Sequence, residues 1–166
     1  MKDVNQNVVQ LVGKLVKVKK VWESIDYCVC EGIIQIIRDS GCIDSIPILF
    51  KENGIGVDSF ISIKGQFRSR DISVNGKLKV ELYVYVQEML QVKDPLYVNN
   101  VYLTGYICKN PNIRNTPSGK QISDLLIACN YNKDKTAYIP AIAWGKHARK
   151  CGKYNVGTQI EIFGRL

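Results

Sequence analysis

Histidine is almost missing from this chain. His147 is the only one, and the six cysteines (Cys28, Cys30, Cys42, Cys108, Cys129 and Cys151) contain no C-x-x-C pair. A tetrahedral zinc site draws four such ligands from close spacings, so a metal site is hard to assemble here, and reduced thiols in or near a core are expected. Cys28 and Cys30 fall on one side of a strand, but two thiols alone do not make a site. No apolar run approaches the roughly 20 residues of a membrane-spanning helix. Residues 1–10 are polar and lack the basic start and apolar stretch of a secretory signal. A cytoplasmic protein with no membrane partner is expected.

Catalytic groupings are equally scarce. His147 stands beside Lys146 with no acidic orienter, and Glu23, Asp26 and Glu31 spread over a loop and a strand without acid-base spacing. Thr116-Pro117-Ser118-Gly119-Lys120 ends in Gly-Lys, yet lacks the earlier glycine and the strand-to-helix setting of a phosphate loop. The chain is therefore read as a non-enzyme, without cofactor, metal or small-molecule substrate.

What is present is strand. With 166 residues, 46% hydrophobic and 23% charged, the chain can bury one medium core or two small ones. Val101, Leu103, Gly105 and Ile107 alternate with Tyr102, Thr104 and Tyr106, the period of a strand with one buried face. Turn formers at 110–112 and 116–119 suggest a hairpin over residues 113–128. A third strand is expected at 137–144, a short helix at 147–154 and a fourth strand at 159–163. A barrel with its helix between strands three and four has the OB-fold plan, with one strand still owed.

The first half repeats the opening of the second. N-x-V-x-L-x-G-x-(L/I) occurs at residues 7–15 and again at 99–107, 92 residues later. Residues 61–67, ISIKGQF, likewise match 160–166, IEIFGRL, and Ile46-Pro47 stands roughly where Ile139-Pro140 stands. Two related units in tandem are implied. In the first, strands are expected at 27–37 and 45–50, with a glycine-rich link at 53–56 in place of the helix. Asn75-Gly76 between alternating runs signals a hairpin that adds a fifth strand through 77–86. A break near 90–96, containing Asp94-Pro95, is taken as the boundary. The expected fold is all-β with a short helix: two tandem OB-fold five-stranded barrels, residues 1–93 and 94–166, the second lacking its last strand in this chain.

These residues also resemble a family. N-x-V-x-L-x-G at 99–105, K-N-P-x-x-R at 109–114, T-P-S-G-K at 116–120, A-W-G-K at 143–146 and the closing I-x-I-x-G-R-L look like the bacterial single-stranded-DNA-binding protein, in order and at family spacing. The resemblance implies sequence-independent binding and protection of single-stranded DNA in replication, recombination or repair. It also implies four OB folds around the DNA, hence a homodimer of a two-barrel chain, and a cytoplasmic, nucleoid-associated place. The family's acidic tail for recruiting partners finds no match here. The alternative is a docking module for replication proteins, similar to a primosomal protein, and RNA is a closer rival ligand.

Charge and aromatics single out candidate residues. Residues 94–166 carry ten Lys and Arg against four Asp and Glu, a net +6, whereas residues 1–93 net only +2. A basic surface serves solubility, or it meets a polyanion and releases its counterions. Tyr131, Tyr138 and Trp144 lie among Lys133, Lys135, Lys146 and Lys150, the mix of rings and cations that holds single strands. By the resemblance, Tyr138 and Trp144 fall on base-stacking positions, Lys146 on a phosphate-facing lysine, and Tyr131 near a stacking position. Lys109, Arg114, Lys120 and Arg165 complete the basic set. Six residues apart, Tyr138 and Trp144 share a face, and Ile139 and Ile142 are read as the core side. In the first copy Phe50 resembles the position of Trp144, and Arg68 and Arg70 resemble the family's basic fourth-strand exit, although Ile72 replaces a further stacking ring. Oligomerisation or auxiliary binding is the expected role of that copy. Trp22 is assigned to an insertion-like loop, as a packing or interface residue.

Overall fold

The computed structural model describes residues 6–93 and 96–166; the expected boundary at Asp94-Pro95 lies outside the described residues. Contacts divide the chain into two compact units, one of Asn7–Tyr102 with Phe163–Leu166, the other of Leu103–Ile162 with Gln6.

The first unit contains β1 (Asn7–Glu23), β2 (Cys28–Ile37), β3 (Ile43–Lys51), β4 (Phe60–Val74) and β5 (Lys77–Gln91). Antiparallel pairing joins β4 to β1, β1 to β2 and β2 to β3, and β3 meets β5 in parallel while β5 returns to β4. The circuit β1-β2-β3-β5-β4 closes, which is the OB-fold barrel. Alternation explains the core. Val9, Leu11 and Leu15 on β1, Cys30, Ile34 and Ile36 on β2, Ile46, Ile48 and Phe50 on β3, Ile61, Ile63 and Phe67 on β4 and Val84 on β5 are all buried. Asn75 and Gly76, at φ 51° and 74°, make the tight turn between β4 and β5 that their sequence announced.

β1 serves two neighbours because it bends. Its first half pairs β4 and its second half β2, with register shifts between Leu15 and Lys17 and between Lys20 and Trp22. Gly13 sits within β1 just before the first register shift, where a Cβ would collide with the Gln35 carbonyl oxygen. The strand thus runs through Trp22, which the sequence had assigned to a loop. Two register shifts between Leu15 and Trp22 erase the period-2 pattern that would have revealed it.

The repeated asparagine acts as a clamp. The buried Asn7 donates from Nδ2 to the Phe67 carbonyl and accepts from the Phe67 N–H at Oδ1, both at 2.7 Å. Asn99 does the same with Leu166, donating at 2.8 Å and accepting at 3.0 Å. Phe67 and Leu166 are the matching ends of ISIKGQF and IEIFGRL, so the two sequence repeats meet in one interaction.

The remaining elements are β6 (Val98–Ile107), β7 (Asn112–Asn115), β8 (Gln121–Asn132), β9 (Lys135–Trp144), α1 (Lys146–Cys151) and β10 (Gln159–Gly164). β6 pairs β8 and β10, and β8 pairs β7 and β9. Leu103, Ile107, Leu125, Ile127, Cys129, Ala137, Ile139, Ala148 and Ile160 are buried. Burial pushes the Cys129 thiol up to about 11, so it stays a neutral packing group. The helix is shorter than expected. It ends at Gly152, which lies so close to Ile113 that a Cβ there would collide with it.

Candidate nucleic-acid interface

Directly opposed residues on paired strands present their side chains on the same face, so the register of β7, β8 and β9 reads out the surface row by row. One row is Arg114, Ile122 and Trp144, in which Ile122 is itself buried at 2% exposure; the next is Asn112, Asp124 and Ile142, and the third pairs Leu126 with Pro140. The fourth is Tyr106, Ala128 and Tyr138, with Tyr106 contributed by β6. Along β9 the whole outward column is exposed: Tyr138 at 53%, Ile142 at 53% and Trp144 at 52%, with Pro140 between them. The inward residues Ala137 and Ile139 are buried. Ile142 thus belongs with the two rings and not with Ile139, because it lies an even number of residues from both.

The result is an apolar strip with a ring at each end, about 20 Å apart at the rise of an extended strand. Tyr106, 43% exposed, adds a second ring at the Tyr138 end, on the far side of the small Ala128. Sequence reading missed Tyr106 as a surface partner of Tyr138. The two are 32 residues apart, and only the shared partner Ala128 brings them into one row.

Cations gather at both ends of the strip. At the Trp144 end, Gly145 at φ 55° swings the chain off β9 and starts α1 with Lys146, while the Gly145 N–H donates to the Gln121 carbonyl at 2.9 Å and so draws Lys120 to the same end. At the Tyr138 end, Lys133 and Lys135 sit on the β8–β9 hairpin, with the half-buried Tyr131 beside them on β8. Lys109 follows Cys108, whose N–H donates to the Leu126 carbonyl at 3.0 Å, and lies exposed beside the middle rows. Arg114 is spoken for. Its Nε and Nη2 reach the Asp124 carboxylate at 2.6 and 3.1 Å, which holds Asp124 below the usual carboxylate range and raises the guanidinium.

The other sequence-nominated residues lie in the first unit. Phe50 is in the barrel core, 4% exposed, so its ring cannot be a platform. Register gives the reason: with Ile46-Pro47 aligned on Ile139-Pro140, the residue matching Trp144 is Lys51, and Phe50 takes the inward place of Ala143. Arg68 lies over the Tyr85 ring, 3.9 Å from its centroid, and donates to Gln66 at 2.6 Å. Arg70 bridges Glu31 and Glu81. Arg165 adds to the field that lowers Asp44, whose main cause is the Arg38 guanidinium bonded to it. Among the described residues no three His, Cys, Asp or Glu side chains converge on a metal-sized site.

Comparison with known proteins finds likeness over the same stretch of the chain. Residues 98–166 match the sequence model described as "Single-strand binding protein family". The single-stranded DNA-binding protein of Deinococcus radiodurans is 32% identical over 77 residues, covering 42% of this chain and 26% of that protein. That of Enterococcus faecalis is 33% identical over 76 residues, covering 42% and 40%. The matches thus span two fifths or less of these relatives. The wild-type single-stranded DNA binding protein from Thermus aquaticus superposes over 96% of this chain and 84% of its own, with a TM-score of 0.80 and 19% identity, and so shares its fold. Residues 98–166, the part that carries the strip of rings and lysines, are thus the part of the chain that is similar to the Single-strand binding protein family.

Proposed function

We propose that this protein binds single-stranded DNA without reading its sequence, through the outward face of β8 and β9. The observation that carries the reading is the exposure of Tyr138 and Trp144 on one face of one strand, with lysines at both ends. Every base has a π-face, so a ring accepts any of them, and each stacked base contributes about 1–3 kcal/mol. Lys120, Lys133, Lys135 and Lys146 would take phosphates and release counterions, a term that carries no sequence information. Duplex DNA hides its bases in the stack, so the rings select for unpaired strands. Protection of strands opened in replication, recombination or repair follows from such binding. A homodimer presenting four barrels is the assembly proposed.

Trp144 itself reports on this. In a Trp22→Phe variant it is the sole tryptophan, and its emission should be quenched on titration with oligo(dT), with affinity falling as salt rises. Unchanged emission at low salt, with a partner protein still captured, would instead support the docking-module reading. Equal affinity for oligo(U) would extend the ligand to RNA.

A further inference from the structure

We propose that the first barrel carries a second base-stacking platform at Trp22, fed by Lys17 and Lys19; the proposal rests on the strand-binding reading of the second barrel. The corresponding rows of the two barrels make the case. With Gly13 matched to Gly105 and Ile46-Pro47 to Ile139-Pro140, the row Arg114, Ile122, Trp144 corresponds to Trp22, Val29, Lys51. Each row holds one ring, one β-branched residue and one cation. Ring and cation have exchanged strands.

The surroundings of Trp22 suit a base. Trp22 is 50% exposed and packs on Tyr27, centroids 5.0 Å apart and planes at 49°, while Tyr27 is itself 44% exposed. The Lys51 ammonium lies 4.6 Å from the Tyr27 centroid, so ring pair and cation form one cluster. Below Trp22, Lys19 opposes Glu31 and Lys17 opposes Ile33, and both lysines line a concavity of 270 Å³ walled by Pro47, Leu49 and Tyr83. Glu31 and Glu81 would repel a phosphate there, but Arg70 bonds both of them. With that arginine and two lysines against two carboxylates, the concavity carries one net positive charge. A strand lying in it would reach Trp22 with a base at the end of the row.

The chain has two tryptophans, so a Trp144→Phe variant isolates Trp22 while leaving an aromatic ring on β9. The variant is titrated with fluorescein-labelled oligo(dT) of about 30 nucleotides, long enough for two barrels at up to about 16 nucleotides each. Tryptophan emission and probe anisotropy are followed together. The expected result is Trp22 quenching that saturates as anisotropy rises. Adding Lys17→Glu and Lys19→Glu should weaken that quenching and lower the slope of log affinity against log salt by about 1.4, two phosphates at about 0.7 each. Anisotropy that saturates while Trp22 emission stays constant would overturn the second platform and leave the first standing. No anisotropy change for the wild-type chain would overturn both. Trp22 quenching that the lysine changes leave untouched would overturn the proposed path across the concavity.

Discussion

Where the second barrel sets Tyr138, Pro140, Ile142 and Trp144 along the outward side of its third strand, the first sets Ser45, Pro47, Leu49 and Lys51. The central strands differ less: Ala128, Leu126, Asp124 and Ile122 stand against Gln35, Ile33, Glu31 and Val29. In both barrels the carboxylate of the second row is held by an arginine, Arg114 for Asp124 and Arg70 for Glu31. The framework of the surface is common, and its chemistry is decided by a few outward positions. On the proposed reading a ring at either end of β9 gives a stacking face, whereas a serine and a lysine at the same places of β3 offer none. In the first barrel the aromatic contribution has moved to β1.

The sharpest way to break this comparison contrasts two rings on matched strands. Phe50→Ala should destabilise the first unit by about 3–5 kcal/mol, because it removes a buried ring and leaves a cavity, and calorimetry would show a lowered melting transition. Trp144→Ala, an exposed ring, should leave that transition nearly unmoved. An unaffected transition in Phe50→Ala would mean that its ring is not in the core.

Binding should respond in the opposite sense. Tyr138→Ala or Trp144→Ala should each weaken oligo(dT) binding by about 1–3 kcal/mol, roughly 5- to 150-fold, in an anisotropy titration. Phe50 is silent in that assay wherever the first unit remains folded. Building the second barrel's chemistry into the first is a smaller step: Ser45→Tyr restores the missing ring of the fourth row and should tighten binding by about 1 kcal/mol, the low end for one stacked base. No gain would mean that the first barrel's third strand does not approach DNA.

The smallest expected effect concerns acid. Asp44 and Asp124 both sit below their usual value of 3.8, chiefly through hydrogen bonds from Arg38 and Arg114. A depressed carboxylate contributes stability above its unfolded value and loses it as pH falls through the folded one. Melting temperature should therefore hold steady from pH 7 to near 4 and decline below. The decline should be shallower in Asp44→Asn, and Asp124→Asn should differ least, because its pair is exposed to solvent.

Much of this was written in the sequence. The N-x-V-x-L-x-G repeat marks the barrel starts, and its asparagine proves to be the residue that ties each start to its matching strand end. Parity alone placed Tyr138 and Trp144 on one face. What sequence could not supply was pairing. The resemblance sets Phe50 at the position of Trp144, one residue off the register of the paired strands, and that single step moves a side chain from solvent to core. Trp22 was hidden because two bulges within KLVKVKKVW break the alternation that marks a strand. Tyr106 joins Tyr138 only through Ala128, a neighbour relation that no local pattern contains.

The central claim is that exposed rings on β9 make the surface specific for unpaired strands. The most direct test is a competition between oligo(dT) and a duplex of equal length, for the wild-type chain and for Tyr138→Ala/Trp144→Ala. The wild-type chain should prefer the single strand, and the double variant should lose that preference while keeping a weak, salt-sensitive affinity for both. A preference that survives loss of both rings would contradict the account.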